Sequence, residues 1–325
     1  MNNRSSFELI LPFLRPIEHL ILDEDISEIM INGGSVFIER AGQLEPVPNV
    51  SLSEAALNAA VRNIARRLGD DVSEIKPILD SRLPDGSRVA AVIRPCSIDG
   101  ITLTIRKFNA KHFTIEDLIQ IGTLTADLAD LLTKQIENRP NLLISGGTGT
   151  GKTTLLNILA GFIPGEERIV LIEDTAEIQI SKPNLVRFEA RREQNGLPAV
   201  TIRDLLKATL RHRPDRIIVG EIRGGEAFDL LQALNTGHSG TLSTIHANSA
   251  AQALQRFTSC VLQSGIELPY RAIKSHIADS IQVLIHIERR HGKRLVSQVL
   301  AIRGYSVDTD RYDFQVLYEG DPAKR

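Results

Sequence analysis

The sequence predicts an α/β protein in which a domain with a mainly parallel sheet follows a smaller mixed α/β domain. Three observations carry this. The chain has 325 residues, a length that suggests two domains. From Asn141 onward, short apolar runs alternate with helical patterns, as in a parallel sheet covered on both faces. Before residue 107, strand patterns and turns marked by Gly or Pro surround a single long helical stretch.

In chain order, Ser27 to Ile31 and Ser35 to Arg40 read as strands joined through Asn32, Gly33 and Gly34, with a further turn at Ala41 and Gly42. SLSEAALNAAVRNIARRLGD, starting at Ser51, reads as one helix. Ser51 and Glu54 have capping-box spacing, Leu57, Val61, Ile64 and Leu68 share a face, and Gly69 can close the end. RLPDGSRVAAVI and GITLTIRKF read as strands around a turn at Pro84, Asp85 and Gly86. The polar piece from Lys107 to Phe113 serves as a linker, so the domains span 1–106 and 114–325. Beyond it, NLLIS, RIVLIE, DRIIVGE and TLSTIHA are strand candidates. KTTLLNILAGF, TIRDLLKATLRH, GEAFDLLQALNTG and SAAQALQRFTSCVLQ are the helices between and after them. The tail from Ser280 to Gly320 reads as added antiparallel strands.

Composition narrows the function classes. A formal net charge of -2 gives no reason to expect a basic nucleic-acid binder or a membrane-surface protein. Cys96 and Cys260 are far apart, which excludes a cysteine-clamped zinc module and fits a reducing compartment. No apolar run reaches the length of a membrane span, and MNNRSSFE lacks a signal-peptide pattern, so a cytoplasmic protein is expected. The basic runs FEARREQNG and IERRHGKR are the candidate nucleic-acid patches. With no Trp and 4% aromatic residues, the chain is poor in stacking platforms. Both runs therefore read as solvated loop or hairpin tips, and no direct nucleic-acid binding is expected.

GGTGTGKT, Gly146 to Thr153, fits the phosphate-loop pattern with a strand before it and a helix starting at Lys152. Gly146, Gly147, Gly149 and Gly151, with Thr148 and Thr150 between them, let the backbone wrap phosphate with its N–H groups inward. The helix N-terminus adds positive field. Lys152 would reach the β- and γ-phosphates, Thr153 would ligate Mg²⁺, and Thr154 could bond the α-phosphate. The expected ligands are ATP and Mg²⁺.

Such a site needs carboxylates at the ends of neighbouring parallel strands. RIVLIE ends at Glu173, with Asp174 and Glu177 beyond it. DRIIVGE ends at Glu221, which should face Mg²⁺ or its water. Glu173 and Asp174 have a second reading as loop caps or ion-pair partners. TLSTIHA delivers His246 in the same way, and a neutral imidazole there could donate to a γ-phosphate. His238 and His246 could alternatively cap helices or sit in a core.

The ordered set GGTGTGKT, IEDTAE, RPDRIIVGEIRG and NTGHSGTLSTIHANS resembles the secretion-ATPase superfamily of type II and type IV systems, as its Walker A, aspartate, Walker B and histidine boxes. ERAGQLEPV, RLPDGSR and TIRKF extend the match over nearly the whole chain, and NTGHSGTLSTIHANSAA and the late IRGY look most like the conjugal-transfer and type IV secretion branch. The resemblance implies a RecA-like P-loop domain that hydrolyses ATP to power assembly or substrate transfer, with a pilus retraction motor, a DNA translocase on the same core and a nucleotide-gated scaffold of negligible turnover as the alternatives. It also implies a homo-hexamer docked on inner-membrane components of the machine. Glu177 would be the water-activating base, Glu221 would support Mg²⁺, and His246 would sense γ-phosphate. Arg88 and Arg106, ahead of Arg82, would supply guanidiniums from the first domain. Arg211 and Arg213 are either sensors or helix C-terminal charges. The four-cysteine zinc insert of the general secretion branch is absent.

Overall fold

Strand burial in the two halves of the chain follows two different rules. A computed structural model describes residues 7–40, 43–108, 113–191, 193 and 197–320. The chain divides into two compact units, Met1–Lys111 and His112–Arg325. The expected turn at Ala41 and Gly42 lies outside the described residues, as does most of the expected linker.

In the first unit, alternate residues are buried, the mark of a sheet with one covered face. β1 (Ile26–Asn32), β2 (Ser35–Arg40), β3 (Gln43–Ser51), β4 (Ile78–Arg82), β5 (Arg88–Val92) and β6 (Thr102–Arg106) form an antiparallel sheet in the order β3-β2-β1-β6-β5-β4. A short helix, α1 (Glu18–Leu22), and a long one, α2 (Glu54–Arg67), share one apolar core with it. Ile29, Ile31, Leu57, Val61, Ile64, Leu103 and Ile105 are buried there. The helix cap differs from the expectation. Ser53, not Ser51, accepts the N–H of Ala56, because Glu54 is already the first helical residue while Ser51 closes β3.

In the second unit the central strands are buried on both faces. β7 (Leu142–Gly146), β8 (Ile169–Glu173), β9 (Leu185–Glu189), β10 (Arg216–Ile222), β11 (Leu242–His246), β12 (Val283–Arg290), β13 (Lys293–Ser306) and β14 (Arg311–Glu319) form one sheet in the order β14-β13-β12-β7-β11-β10-β8-β9. From β12 to β9 every neighbouring pair is parallel, and β13 and β14 add antiparallel to one side. β7 and β8 are buried along their whole length. Separate apolar clusters on the two faces are built with α3 (Ile115–Gln120), α4 (Ala126–Glu137), α5 (Lys152–Ala160), α6 (Ile202–Thr209), α7 (Glu226–Asn235), α8 (Ala250–Leu262) and α9 (Tyr270–Ser280). α1, α3, α4, α9, β3, β9 and all of β4 before Arg82 go beyond the elements read from sequence patterns. Among the described residues, no helix is long and apolar enough to cross a membrane.

Parallel order places the carboxyl ends of β7, β8, β10 and β11 side by side, which makes that edge the place to look for chemistry. The opposite edge is closed by structure. Arg216, at the start of β10, is 1% exposed. It bonds Glu167 at 2.5 Å and the carbonyls of Ile136 at 2.9 Å and Gly240 at 3.3 Å. Gly240 must be glycine here: its φ is +80°, and a Cβ would lie 2.1 Å from an Arg216 nitrogen.

Candidate active site

Strand β7 runs into the glycine-rich loop and the loop into α5. Gly149 (φ +70°) and Gly151 (φ +97°) make the two left-handed turns that bend it. Thr150 ties the loop to itself, donating to the Gly147 carbonyl at 2.9 Å. Lys152 is 7% exposed, and its ammonium donates to the carbonyls of Gly146 at 3.1 Å and Gly147 at 2.8 Å. Burial lowers its pKa, with Glu221 opposing and Arg223 adding to the fall. Thr153 and Thr154 are half-buried on the first turn of α5.

Lys152 Nζ also lies 3.2 Å from Nδ1 of His246 at the end of β11. An ammonium only donates, so Nδ1 accepts, and the ring's own proton is on Nε2. Burial and the nearby Lys152 hold the His246 pKa below its ordinary value, which keeps the ring neutral at pH 7. Nε2 stands 2.8 Å from Oε1 of Glu221, an ion-pair distance without hydrogen-bond alignment. That buried oxygen has no hydrogen-bond partner among the described residues. Its sister Oε2 accepts two N–H groups from Arg223, at 3.0 and 2.8 Å. A buried carboxylate oxygen left unsatisfied beside a phosphate loop is the kind of acceptor that a metal-bound water fills. With the Thr153 hydroxyl it forms an all-oxygen donor set, so these residues fit Mg²⁺.

The Glu173 side chain, 3% exposed, folds back to accept the N–H groups of Glu177 and Ile178, both at 2.8 Å. Burial pushes its pKa up to about 7, against those two bonds and Arg187, which lower it. Gly220 gives it room, since a Cβ there would lie 3.1 Å from the Glu173 Cγ. Of the two readings open for Glu173 and Asp174, the loop cap holds for Glu173. Asp174 meets Arg223 at 3.4 Å. Glu177 is exposed on the loop that Glu173 braces.

The family model of the type II/IV secretion system protein matches residues 13–306 of this chain. The chain belongs to this family. An uncharacterized protein of Methanocaldococcus jannaschii is 42% identical over 246 residues, 73% of this chain but 34% of that protein, so the chain spans about a third of that relative's length. The conjugal transfer protein TrbB of Rhizobium radiobacter is 36% identical over 287 residues, 87% of this chain and 85% of the relative. The crystal structure of the Legionella pneumophila ATPase DotB superposes with a TM-score of 0.61, covering 90% of this chain and 81% of that one. Its 22% identity speaks for the fold alone. By family and by site this is a nucleotide-binding secretion ATPase.

Within the secretion ATPase, the loop, Lys152, Glu221 and His246 come together. His238, Arg211 and Arg213 stand elsewhere in this unit. His238 caps the end of α7 through the Ala233 carbonyl at 3.1 Å, as its alternative reading has it. Arg211 and Arg213 precede the start of β10, the end of the strand away from Glu221, which leaves them no sensor role in their own chain's site. Arg82, Arg88 and Arg106 belong to the first unit and face one another in register across β4, β5 and β6. Arg88 donates to both oxygens of Asp80, at 2.7 and 2.8 Å. Sequence patterns do not single out Arg223, which follows the end of β10 and bonds Glu221 from there.

Proposed function

We propose that this chain is the ATP-hydrolysing motor of a type IV secretion or conjugation machine, coupling turnover to assembly or substrate transfer. The observation that carries the reading is the meeting of Lys152, His246 and Glu221 at the carboxyl ends of the parallel strands. The family and the TrbB relative support the setting. Lys152, drawn from its loop carbonyls, binds the β- and γ-phosphates, and Thr154 bonds the α-phosphate. Thr153 and Glu221 would hold Mg²⁺, which would supply neutralising charge to the phosphates. Glu177 takes a proton from the attacking water as the bond from γ-phosphorus to the bridging oxygen breaks, leaving ADP and phosphate. His246, neutral with its proton on Nε2, registers the γ-phosphate by exchanging Glu221 for it.

Arg88 and Arg106 supply guanidiniums to the phosphates. In the free protein Arg88 is held by Asp80 and Arg106 lies in register with Glu28, so phosphate would compete with carboxylates for these guanidiniums. Six copies form a ring at the cytoplasmic side of the inner membrane, docked on membrane components of the apparatus. The test is phosphate release by the purified protein with Mg-ATP, with and without single-stranded DNA, beside K152A. Turnover abolished by the substitution and indifferent to DNA supports the reading. Turnover that survives K152A, or that depends on DNA, contradicts it.

A further inference from the structure

The basic run IERRHGKR is not a free hairpin tip. Arg290 pairs with Lys293 across a two-residue turn, His291 (φ +48°) and Gly292 (φ +80°), a mirror-image turn whose twist suits a hairpin. β12 lies beside β7 and continues past it as a wall to the phosphate loop, so close that a Cβ on Gly146 would lie 2.2 Å from the Ile287 carbonyl. The second residue of the returning strand, Arg294, lays its Cδ 3.5 Å from where a Gly151 Cβ would stand. Its Nε donates to the carbonyl of Gly149 at 3.0 Å.

Gly149 needs such a tie. It sits at φ +70° with open space where a Cβ would be, and a glycine there has more peptide orientations to choose from than any other residue. A trans peptide is planar, with its C=O and N–H pointing to opposite sides. The bond that turns the Gly149 carbonyl towards the hairpin therefore turns the Thr150 N–H away from it. Backbone N–H groups of this loop are what cradle phosphate.

We infer that Arg294 is a positioning residue for nucleotide binding, fixing the apex of the phosphate loop from outside through the Gly149 carbonyl. The inference rests on the phosphate-loop reading above. It places the requirement in the phosphates and not in the base, and in the hydrogen bond from Nε more than in the charge.

The test compares binding of ADP and of inorganic tripolyphosphate to wild type, R294A, R294Q and R294K, with the Mg-ATP steady state alongside. R294A is expected to weaken both ligands by the same factor, about tenfold, with the loss in turnover falling on KM more than on kcat. Gln places its amide nitrogen where the Arg Nε stands, so R294Q recovers most of the affinity. In R294K the nitrogen lies one bond further out, and that variant recovers less. Unchanged affinity in R294A would overturn the inference. So would a loss confined to ADP, or rescue by Lys and not by Gln. K152A separates the two claims: if it binds both ligands as wild type does, the phosphate-loop reading itself has failed.

Discussion

Strand β10 carries a charged residue near each end, and the two are treated in opposite ways. Arg216, at its start, is 1% exposed and has bonds to Glu167, Ile136 and Gly240. Glu221, about 17 Å further along at the rise of an extended strand, has one oxygen held by Arg223 and the other without a hydrogen bond. The first charge is buried and fully paired, so its role is to hold the sheet to its helices. The second is 19% exposed, and its inner oxygen meets only a neutral imidazole out of hydrogen-bond alignment, an arrangement that a ligand can complete. The same strand therefore ends in structure on one side and in chemistry on the other.

Substitution at the two ends should separate the two roles. R216A leaves Glu167, 12% exposed, with only the more distant Arg139 at 3.6 Å, and should cost about 3 kcal/mol, the low end for breaking a buried pair. Urea unfolding would show it, and the protein that remains folded should still bind ADP. E221Q should do the reverse. Its melting temperature should stay within a few degrees of wild type, while phosphate release at saturating Mg-ATP falls about a hundredfold. Loss of stability in E221Q equal to that in R216A would erase the distinction.

A smaller effect concerns Glu173, the brace beneath Glu177. Its folded pKa, pushed to about 7, stands above the ordinary value of 4.5. The folded state therefore binds the extra proton between these values, and stability falls as pH rises from about 4.5 to about 7. In E173Q that part of the pH dependence should be absent, so the ratio of its stability to wild type should rise across this window. Unfolding measured without nucleotide or Mg²⁺ at pH 5 and pH 8 checks the sign.

How much of this is legible in the sequence depends on whether a feature is local. Leu142 to Ile144, Ile169 to Ile172 and Ile217 to Val219 are buried on both faces, and continuous apolar runs announce such strands. β9 is an exposed edge strand with mixed polarity, and β3 carries Pro46 and Pro48, so neither has an apolar run to reveal it. The helix cap is displaced from Ser51 to Ser53 because two serines flank the same start and spacing alone does not choose between them. At the site, the glycine loop, Glu221 and His246 are visible because each ends its own strand. The brace by Glu173 requires knowing how the loop after β8 turns back. Arg294 is harder still, since its partner Gly149 is 145 residues away in sequence and only the order of β7 and β12 brings them together. A run of basic residues reads as a solvated tip when that order is unknown.

Hydrolysis of ATP at the carboxyl-end edge of the parallel sheet is proposed to use Glu177 as its base. The most direct test is E177Q, with phosphate release under saturating Mg-ATP and ADP affinity measured on the same preparation. The account predicts ADP binding within about twofold of wild type and phosphate release reduced about a thousandfold, the scale of a lost general base. Phosphate release at the wild-type rate with ADP binding intact would contradict it.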